Sequence, residues 1–259
     1  HAWKVNFFRF VSRKNETSSW QPLKVNEGVR VSRSGELVGI QPQTGGLHLE
    51  ACPVLWTRHD AQANHSHTRP SGGVDLNWSP APFVSVQLTS NPDFAEIEAD
   101  PDQLNPSKYE LYLTERRLFF LEGTEIFNSP QQVFYSRRIG KRLPDGTEVP
   151  IQAGAKATLT GLGFDLGIIG ARTGEVGTEP IATYSVFRLK RQLLHNSTLG
   201  LFYVSKKGAD DYNRAISLVG ALRNREVQLE WQIIQSYTSG IGEDYAGTSS
   251  VEYKGRTFT

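Results

Sequence analysis

Residues 226–233 alternate without a break between polar and large apolar side chains, and this pattern constrains the fold more than any other feature of the sequence. Side chains of a β-strand point alternately to its two faces, so the four apolar residues are predicted to share one face. These residues are Val227, Leu229, Trp231 and Ile233. We therefore expect a sheet with one apolar and one polar surface, whose function depends on whether the apolar surface meets protein or lipid.

The same alternation recurs along the C-terminal half of the chain. Candidate strands cover residues 153–160, 163–172, 182–191, 197–206, 213–223, 225–238 and 248–258, with turn signals between them. Consecutive long strands joined by tight turns predict an all-β fold, an antiparallel up-and-down meander. Several candidates reach the roughly 9–11 residues that a strand needs to cross a membrane, whereas soluble strands cluster near 5–6 residues.

The N-terminal part is less regular. Residues 2–10, 36–40 and 47–56 are predicted strands, and residues 73–78 and 83–89 a hairpin, whereas residues 57–72, rich in His, Arg, Asn and Ser, are predicted to form a loop. Beyond residue 90 the periodicity fades while charge and proline increase, so residues 91–150 are predicted to form an irregular insertion.

Composition excludes several classes of protein. The formal net charge of +1 gives no field that would attract nucleic acid. The single cysteine, Cys52, cannot form an internal disulfide, and the longest apolar runs are far shorter than a membrane helix of about 20 residues. Methionine is absent and both ends look strand-like, so we expect an internal fragment of a longer polypeptide.

Periodicity alone does not separate a membrane barrel from a soluble sandwich, because both alternate apolar and polar residues. Three motifs favour the barrel, at residues 91–100 (NPDFAEIEAD), 114–123 (TERRLFFLEG) and 134–140 (FYSRRIG). With shorter matches between residues 3 and 156, they resemble the bacterial family catalogued as domain of unknown function 5916. Members of that family typically place a carbohydrate-binding module resembling family 9 before a long outer-membrane-type β-barrel.

The resemblance implies a partial outer-membrane barrel that does not close alone. Residues 1–90 would supply the first barrel strands and loops, residues 91–150 a charged plug-like or periplasmic insertion, and residues 151–259 regular amphipathic strands. The implied location is the bacterial outer membrane and the implied partner is its lipid. Glycans would be bound through a module that this chain lacks, and the family offers no catalytic residues to transfer.

Charged residues of the insertion are predicted to pair with one another, since burial of charge demands a partner. The predicted set is Asp93, Glu96, Glu98, Asp100, Glu115, Arg116, Arg117, Glu122, Arg137 and Arg138. The acidic run that begins at Asp93 has oxygen ligands suited to calcium, but its spacing differs from that of an EF-hand loop. A structural role is therefore preferred, with no metal and no cofactor expected.

Two enzymatic or metal-binding alternatives stay open at this point. Glu115, Glu122 and Glu125 contain the two carboxylates that glycoside hydrolysis requires, although sequence does not set their separation. His59, His65 and His67 include a His-x-His pair, which alone does not complete a zinc site. The preferred function is an outer-membrane β-barrel with a pore or surface-anchoring role linked to glycan capture or uptake. The rivals are a carbohydrate-active hydrolase or accessory protein and a soluble β-sandwich binding module.

Overall fold

The computed structural model describes residues 3–11, 13–14, 16–21, 34–39, 48–62, 65–92, 113–143, 147–193, 196–224 and 226–253. The chain divides into two compact units, residues 1–46 and residues 47–259.

The described residues of the first unit form two small antiparallel sheets. Strand β1 (Trp3–Val5) pairs with β4 (Gly35–Leu37), and β2 (Phe8–Val11) pairs with β3 (Glu16–Ser19). The slip in alternation at Phe7 and Phe8 marks the point where the chain leaves one sheet and enters the other.

The second unit is built on one 10-stranded antiparallel sheet in which every strand pairs with its neighbours in sequence. Its strands are β5 (Leu49–Gln62), β6 (His65–Ala81), β7 (Val84–Ser90), β8 (Ile151–Gly161), β9 (Phe164–Thr173), β10 (Ala182–Leu193), β11 (Ser197–Lys207), β12 (Tyr212–Arg223), β13 (Val227–Thr238) and β14 (Gly242–Tyr253). The predicted all-β meander is confirmed. Within the described residues the sheet stays open, because β5 and β14 each pair on one side only.

The prediction of a loop at residues 57–72 is wrong. β5 and β6 pair without interruption from Leu49 opposite Trp78 to Gln62 opposite His65. A strand ladder requires only backbone N–H and C=O groups, so a polar run can extend a hairpin once its apolar part has fixed the register.

The two ends of the sheet differ in their connections. At one end, only two or three residues separate β6 from β7, β8 from β9, β10 from β11 and β12 from β13. At the opposite end the strands are separated by up to 60 residues, between β7 and β8, and by eight residues between β9 and β10. We call these the short-turn end and the long-connection end.

One face of the sheet is covered by residues 113–143, which we call the covering segment. It contains a single helical turn, α1 (Leu118–Leu121), and two 3-10 turns, Thr124–Phe127 and Ser136–Arg138. Phe120, Ile126 and Ile139 of this segment are buried against sheet residues that include Val186 and Phe202. The main core therefore lies between the sheet and a segment of its own chain. We call this side of the sheet the covered face and the other side the open face.

Candidate functional site

The candidate site is the contact between the covered face and the covering segment. Lys156 lies on β8 and is almost fully buried. Its ammonium group donates hydrogen bonds to the backbone oxygens of Phe119 and Glu122, the latter at 2.7 Å, and lies 5.3 Å from the centre of the Phe119 ring. A buried ammonium group is costly unless its donors are used, so these carbonyls fix α1 over β8.

A second polar anchor joins the covering segment to β13. Gln232 is completely buried and exchanges two hydrogen bonds with the backbone of Gln131, at 2.7 Å and 3.0 Å. Its amide nitrogen also lies 3.0 Å from the hydroxyl oxygen of Ser217 on β12. A paired amide of this kind specifies one position for the segment, since any shift leaves buried polar atoms without partners.

Glycines on the covered face leave room for the phenylalanines of the segment. A Cβ atom at Gly167 on β9 would lie 2.6 Å from the ring of Phe127, and one at Gly154 on β8 would lie 3.0 Å from the ring of Phe119. Both strands therefore carry a small residue where an aromatic side chain docks.

Glu115 and Arg117, two members of the predicted charged set, form an ion pair. Their ion pair measures 2.7 Å, with only 6% of the Arg117 side chain and 11% of the Glu115 side chain exposed. Arg117 also donates to the backbone oxygens of Ile139 and Ser136, at 2.6 Å and 2.9 Å, and the Ser136 hydroxyl donates to Glu115 at 2.6 Å. This network ties the beginning of the covering segment to its last turn.

Electrostatics keep Glu115 ionised. Burial favours a raised pKa, but the hydrogen bonds and positive charge of Arg117, with the hydrogen bond from Ser136, outweigh it and lower the pKa of Glu115 to about 2. A general acid of a glycoside hydrolase requires a raised pKa. Glu115 is therefore suited to a structural role.

Of the other eight predicted charged residues, four lie in the described part of the chain and four lie outside it. Glu122 accepts a hydrogen bond from Gln87 on β7, and Arg137 donates to the backbone oxygen of Thr114 at 2.8 Å. Arg138 accepts, through its backbone oxygen, a hydrogen bond from the Tyr184 hydroxyl at 3.4 Å. Arg116 is half-buried beside Glu115, whose carboxylate accepts from the Arg116 backbone N–H at 3.0 Å. The acidic run of Asp93, Glu96, Glu98 and Asp100 lies outside the described residues.

No cluster of three or more potential metal ligands occurs among the described residues. The backbones of His59, His65 and His67 lie in β5 and β6, but their side chains are outside the described set. Nor does any helix in the described part of the chain have the length and apolar character needed to cross a membrane.

The open face is apolar across the sheet. One register row runs through seven neighbouring strands and contains only aliphatic side chains: Val84, Leu159, Leu166, Leu189, Leu201, Leu218 and Ile233. Leu218 is 48% exposed and Ile233 59% exposed. The predicted residues Val227, Leu229 and Trp231 share this face with Ile233, and Trp231 lies over Gly220 of β12.

Aromatic and basic side chains pair near both ends of the sheet. Arg214 lies 5.3 Å from the ring centre of Tyr237 and 5.9 Å from that of Tyr212, near the long-connection end. Near the short-turn end, Arg191 lies 5.1 Å from the ring centre of Phe164. The apolar rows of the open face lie between these two levels.

Sequence reasoning missed the two anchors of the covering segment. Lys156 and Gln232 both occur in stretches singled out for other reasons, and their polar character on the covered face was visible. Their partners were not, since they are backbone atoms of a segment that lies 34 to 101 residues away. The sequence indicated only that Lys156 and Gln232 lie on the polar side of amphipathic strands.

Together these features define an all-β protein whose meander sheet has one open apolar face and one face covered by its own chain. Residues 46–159 match the family model described as Domain of unknown function (DUF5916), and the predicted resemblance is thereby confirmed for this part of the chain. The match includes the motifs at 91–100, 114–123 and 134–140, whereas the opening strands lie outside it. Searches of curated proteins and of solved structures gave no significant match.

Proposed function

We propose that this chain forms part of the wall of a bacterial outer-membrane β-barrel, with the covering segment inside the barrel. The observation that carries the proposal is the aliphatic row of the open face, which crosses seven strands. Soluble monomers rarely expose large contiguous apolar surfaces. Lipid is a solvent in which such a surface is stable, and the polar residues then face the lumen.

Strand length and end groups support the same proposal. Strands β8 to β13 have 10 to 12 residues each, which fits the roughly 9–11 residues of a tilted membrane-spanning strand. The Tyr212, Tyr237 and Arg214 cluster and the Phe164 and Arg191 pair match aromatic girdles at two interfaces. Closure of the barrel would require strands that pair with the outer edges of β5 and β14.

The difference between the two ends of the sheet supports an orientation. Outer-membrane barrels have short periplasmic turns and longer extracellular loops. On this basis the short-turn end faces the periplasm, and the covering segment, whose chain leaves β7 and returns to β8 at the long-connection end, enters from outside. The proposal therefore has the covering segment enter from the extracellular side, whereas the sequence analysis had allowed a periplasmic insertion.

The role of such a barrel follows from its occupied interior. A segment fixed by Lys156 and Gln232 narrows the lumen, so the barrel serves either as a constricted pore or as a surface anchor. The further link to glycan capture or uptake rests on the family resemblance alone.

Replacement of Leu218 by arginine tests the membrane contact. In a bilayer we expect Leu218→Arg to lower the free energy of unfolding by about 2–4 kcal/mol, since it places a charge on the lipid face near the middle of a strand. In water the same change at a half-exposed site is worth at most about 0.5 kcal/mol. The measurement is urea unfolding, in phosphatidylcholine vesicles, of the barrel completed by the strands that pair with β5 and β14.

The matched control is Asn213→Arg, an exposed residue at the end of the same strand, which we expect to be near neutral. If the chain instead remains monomeric in water without detergent, melts cooperatively there and tolerates Leu218→Arg, the membrane proposal fails and the soluble binding module is favoured.

A further inference from the structure

The apolar character of the open face ends before the long-connection end. One row beyond the aliphatic row, Phe187 and Tyr203 are register partners on β10 and β11. The next two rows of β9 to β13 consist mainly of basic, hydroxyl and tyrosine side chains. We define the basic strip as six residues of these two rows: Arg172, Thr183, Ser185, Ser205, Lys207 and Arg214.

The basic strip carries positive charge that acidic side chains of the same rows do not balance. Arg172, Lys207 and Arg214 are all exposed. Within the described ranges none of the three forms an ion pair. Glu243 on β14 is the one described carboxylate in these rows, and it accepts a hydrogen bond from the Tyr245 hydroxyl at 2.9 Å. The two rows are therefore net positive.

The distance of the basic strip from the aliphatic row matches the level of lipid headgroups, if the aliphatic row marks the middle of the bilayer. Lys207 follows Leu201 by six residues on β11, which is about 20 Å along the strand. At the roughly 45° tilt of membrane strands this gives about 14 Å along the membrane normal, against about 15 Å for half of the hydrocarbon core. Glu175 and Asp210 lie beyond the strand ends, in the connections, and therefore outside this level.

Three residues of the basic strip lie side by side: Arg172 on β9, Thr183 on β10 and Lys207 on β11. Neighbouring strands are about 4.8 Å apart, so the backbones of the two cations are about 10 Å apart and an exposed hydroxyl group lies between them. A guanidinium group can donate to two phosphate oxygens at once, and an ammonium group binds phosphate as a point charge. The trio therefore has the donors and the charge for one phosphate group.

The opposite end of the open face has a different composition. The row next to the aliphatic row on that side includes Phe164, Arg191 and Leu199. Arg191 is its one cation among the described residues, and the guanidinium group lies over the Phe164 ring. The concentration of cations at one end of the sheet indicates that the two membrane leaflets would meet unlike surfaces.

We propose that the basic strip binds the phosphate group of an anionic membrane lipid, with the phosphate between Arg172 and Lys207 and the Thr183 hydroxyl donating to it. The acyl chains of that lipid would lie along the aromatic and aliphatic rows of the open face. In the orientation proposed above, this lipid belongs to the outer leaflet. The inference rests on the proposed function, because it requires that the open face meets lipid.

The test is a lipid titration of the barrel completed by the strands that pair with β5 and β14, purified in a neutral detergent and followed by native mass spectrometry. The probe is phosphatidylglycerol, and zwitterionic phosphatidylcholine is the comparison lipid. We expect Lys207→Gln to weaken phosphatidylglycerol binding about 5-fold, and Arg172→Gln together with Lys207→Gln to weaken it about 25-fold, as the loss of one and two lipid-contacting basic residues does.

The matched control is Lys206→Gln, at the preceding residue of the same strand. Lys206 lies on the covered face and pairs with Asp211 at 3.4 Å, so its replacement should leave phosphatidylglycerol binding unchanged. Equal losses in Lys206→Gln and Lys207→Gln, or equal affinity for the two lipids, would overturn the inference and leave the membrane proposal standing. Displacement of phosphatidylglycerol by millimolar inorganic phosphate would assign the strip to a free anion and overturn the lipid. A barrel that is monomeric in water without detergent would overturn the proposed function itself.

Discussion

At the scale of single residues, glycines of the covered face determine where the covering segment docks as much as polar side chains do. Gly167 and Gly170 lie on the same strand, but only Gly167 faces an aromatic ring of the covering segment, since a Cβ at Gly170 would meet nothing within 4 Å. The two-residue period of the strand places these glycines on opposite faces, but sequence alone does not show that an aromatic ring docks at Gly167. The difference arises from Phe127, which comes from a distant part of the chain.

This difference predicts that replacement by alanine, which adds one methyl group, changes the free energy of unfolding differently at Gly167 and at Gly170. We expect Gly167→Ala to lower the free energy of unfolding by about 1–3 kcal/mol, because Phe127 must move out of its position. Gly170→Ala should be neutral or stabilising by up to about 1 kcal/mol, because alanine restricts the unfolded strand at no steric cost. Denaturant unfolding with hydrogen exchange of residues 120–127 measures both. Equal behaviour of the two variants would contradict the docking of Phe127.

At the scale of elements, the covering segment is held by apolar packing and by a few polar contacts. The prediction of a charged insertion included Glu115 and Arg117 in one set of charged residues, but it did not say which of them pair. It did not identify Phe120, Phe127 and Ile139 as the residues that pack on the sheet. Their spacing follows no helical or strand period, since the segment is mostly irregular.

The ion pair makes docking of the covering segment dependent on pH. The pKa of Glu115 is lowered to about 2 from an ordinary value of 4.5, so the folded state binds its proton less readily than the unfolded state. The stabilisation is complete above about pH 4.5 and is lost as the pH falls through about 2. We expect pepsin to cleave the segment increasingly within that window.

Glu115→Gln removes this pH dependence. It should expose the segment to pepsin already at about pH 4.5, where the unchanged protein is protected, since the buried Arg117 loses its carboxylate at a cost of about 3–5 kcal/mol. Glu125→Gln is the matched control, because Glu125 is exposed in the same segment and should leave the cleavage profile unchanged. A profile that is the same for all three proteins would show that the ion pair does not hold the segment.

At the scale of the whole molecule, the lengths of the connections at the two ends of the sheet indicate an orientation, which no single strand indicates. Every long connection leaves from one end of the sheet. If the proposed barrel is correct, Thr178 in the β9–β10 connection lies outside the cell and Asn196 in the β10–β11 turn lies in the periplasm.

Cysteine labelling measures this orientation. In a background in which Cys52 is replaced by serine, we expect Thr178→Cys to react with a membrane-impermeant maleimide on intact cells. Asn196→Cys should react only after the outer membrane is broken. Both positions are exposed, so each serves as the control for the other. The reverse pattern would invert the orientation, and labelling of both on intact cells would argue against a barrel in the outer membrane.

The alternation of residues 226–233, repeated along the C-terminal half, was sufficient to predict the strands, their antiparallel order and the two unlike faces. Those properties are local, since side-chain direction follows from the two-residue period of a strand. The tertiary structure alone decided that the polar run at 57–72 extends a hairpin, and that Lys156 and Gln232 anchor the covering segment. Such contacts depend on backbone atoms brought together from far along the chain, and a one-dimensional pattern carries no signal for them.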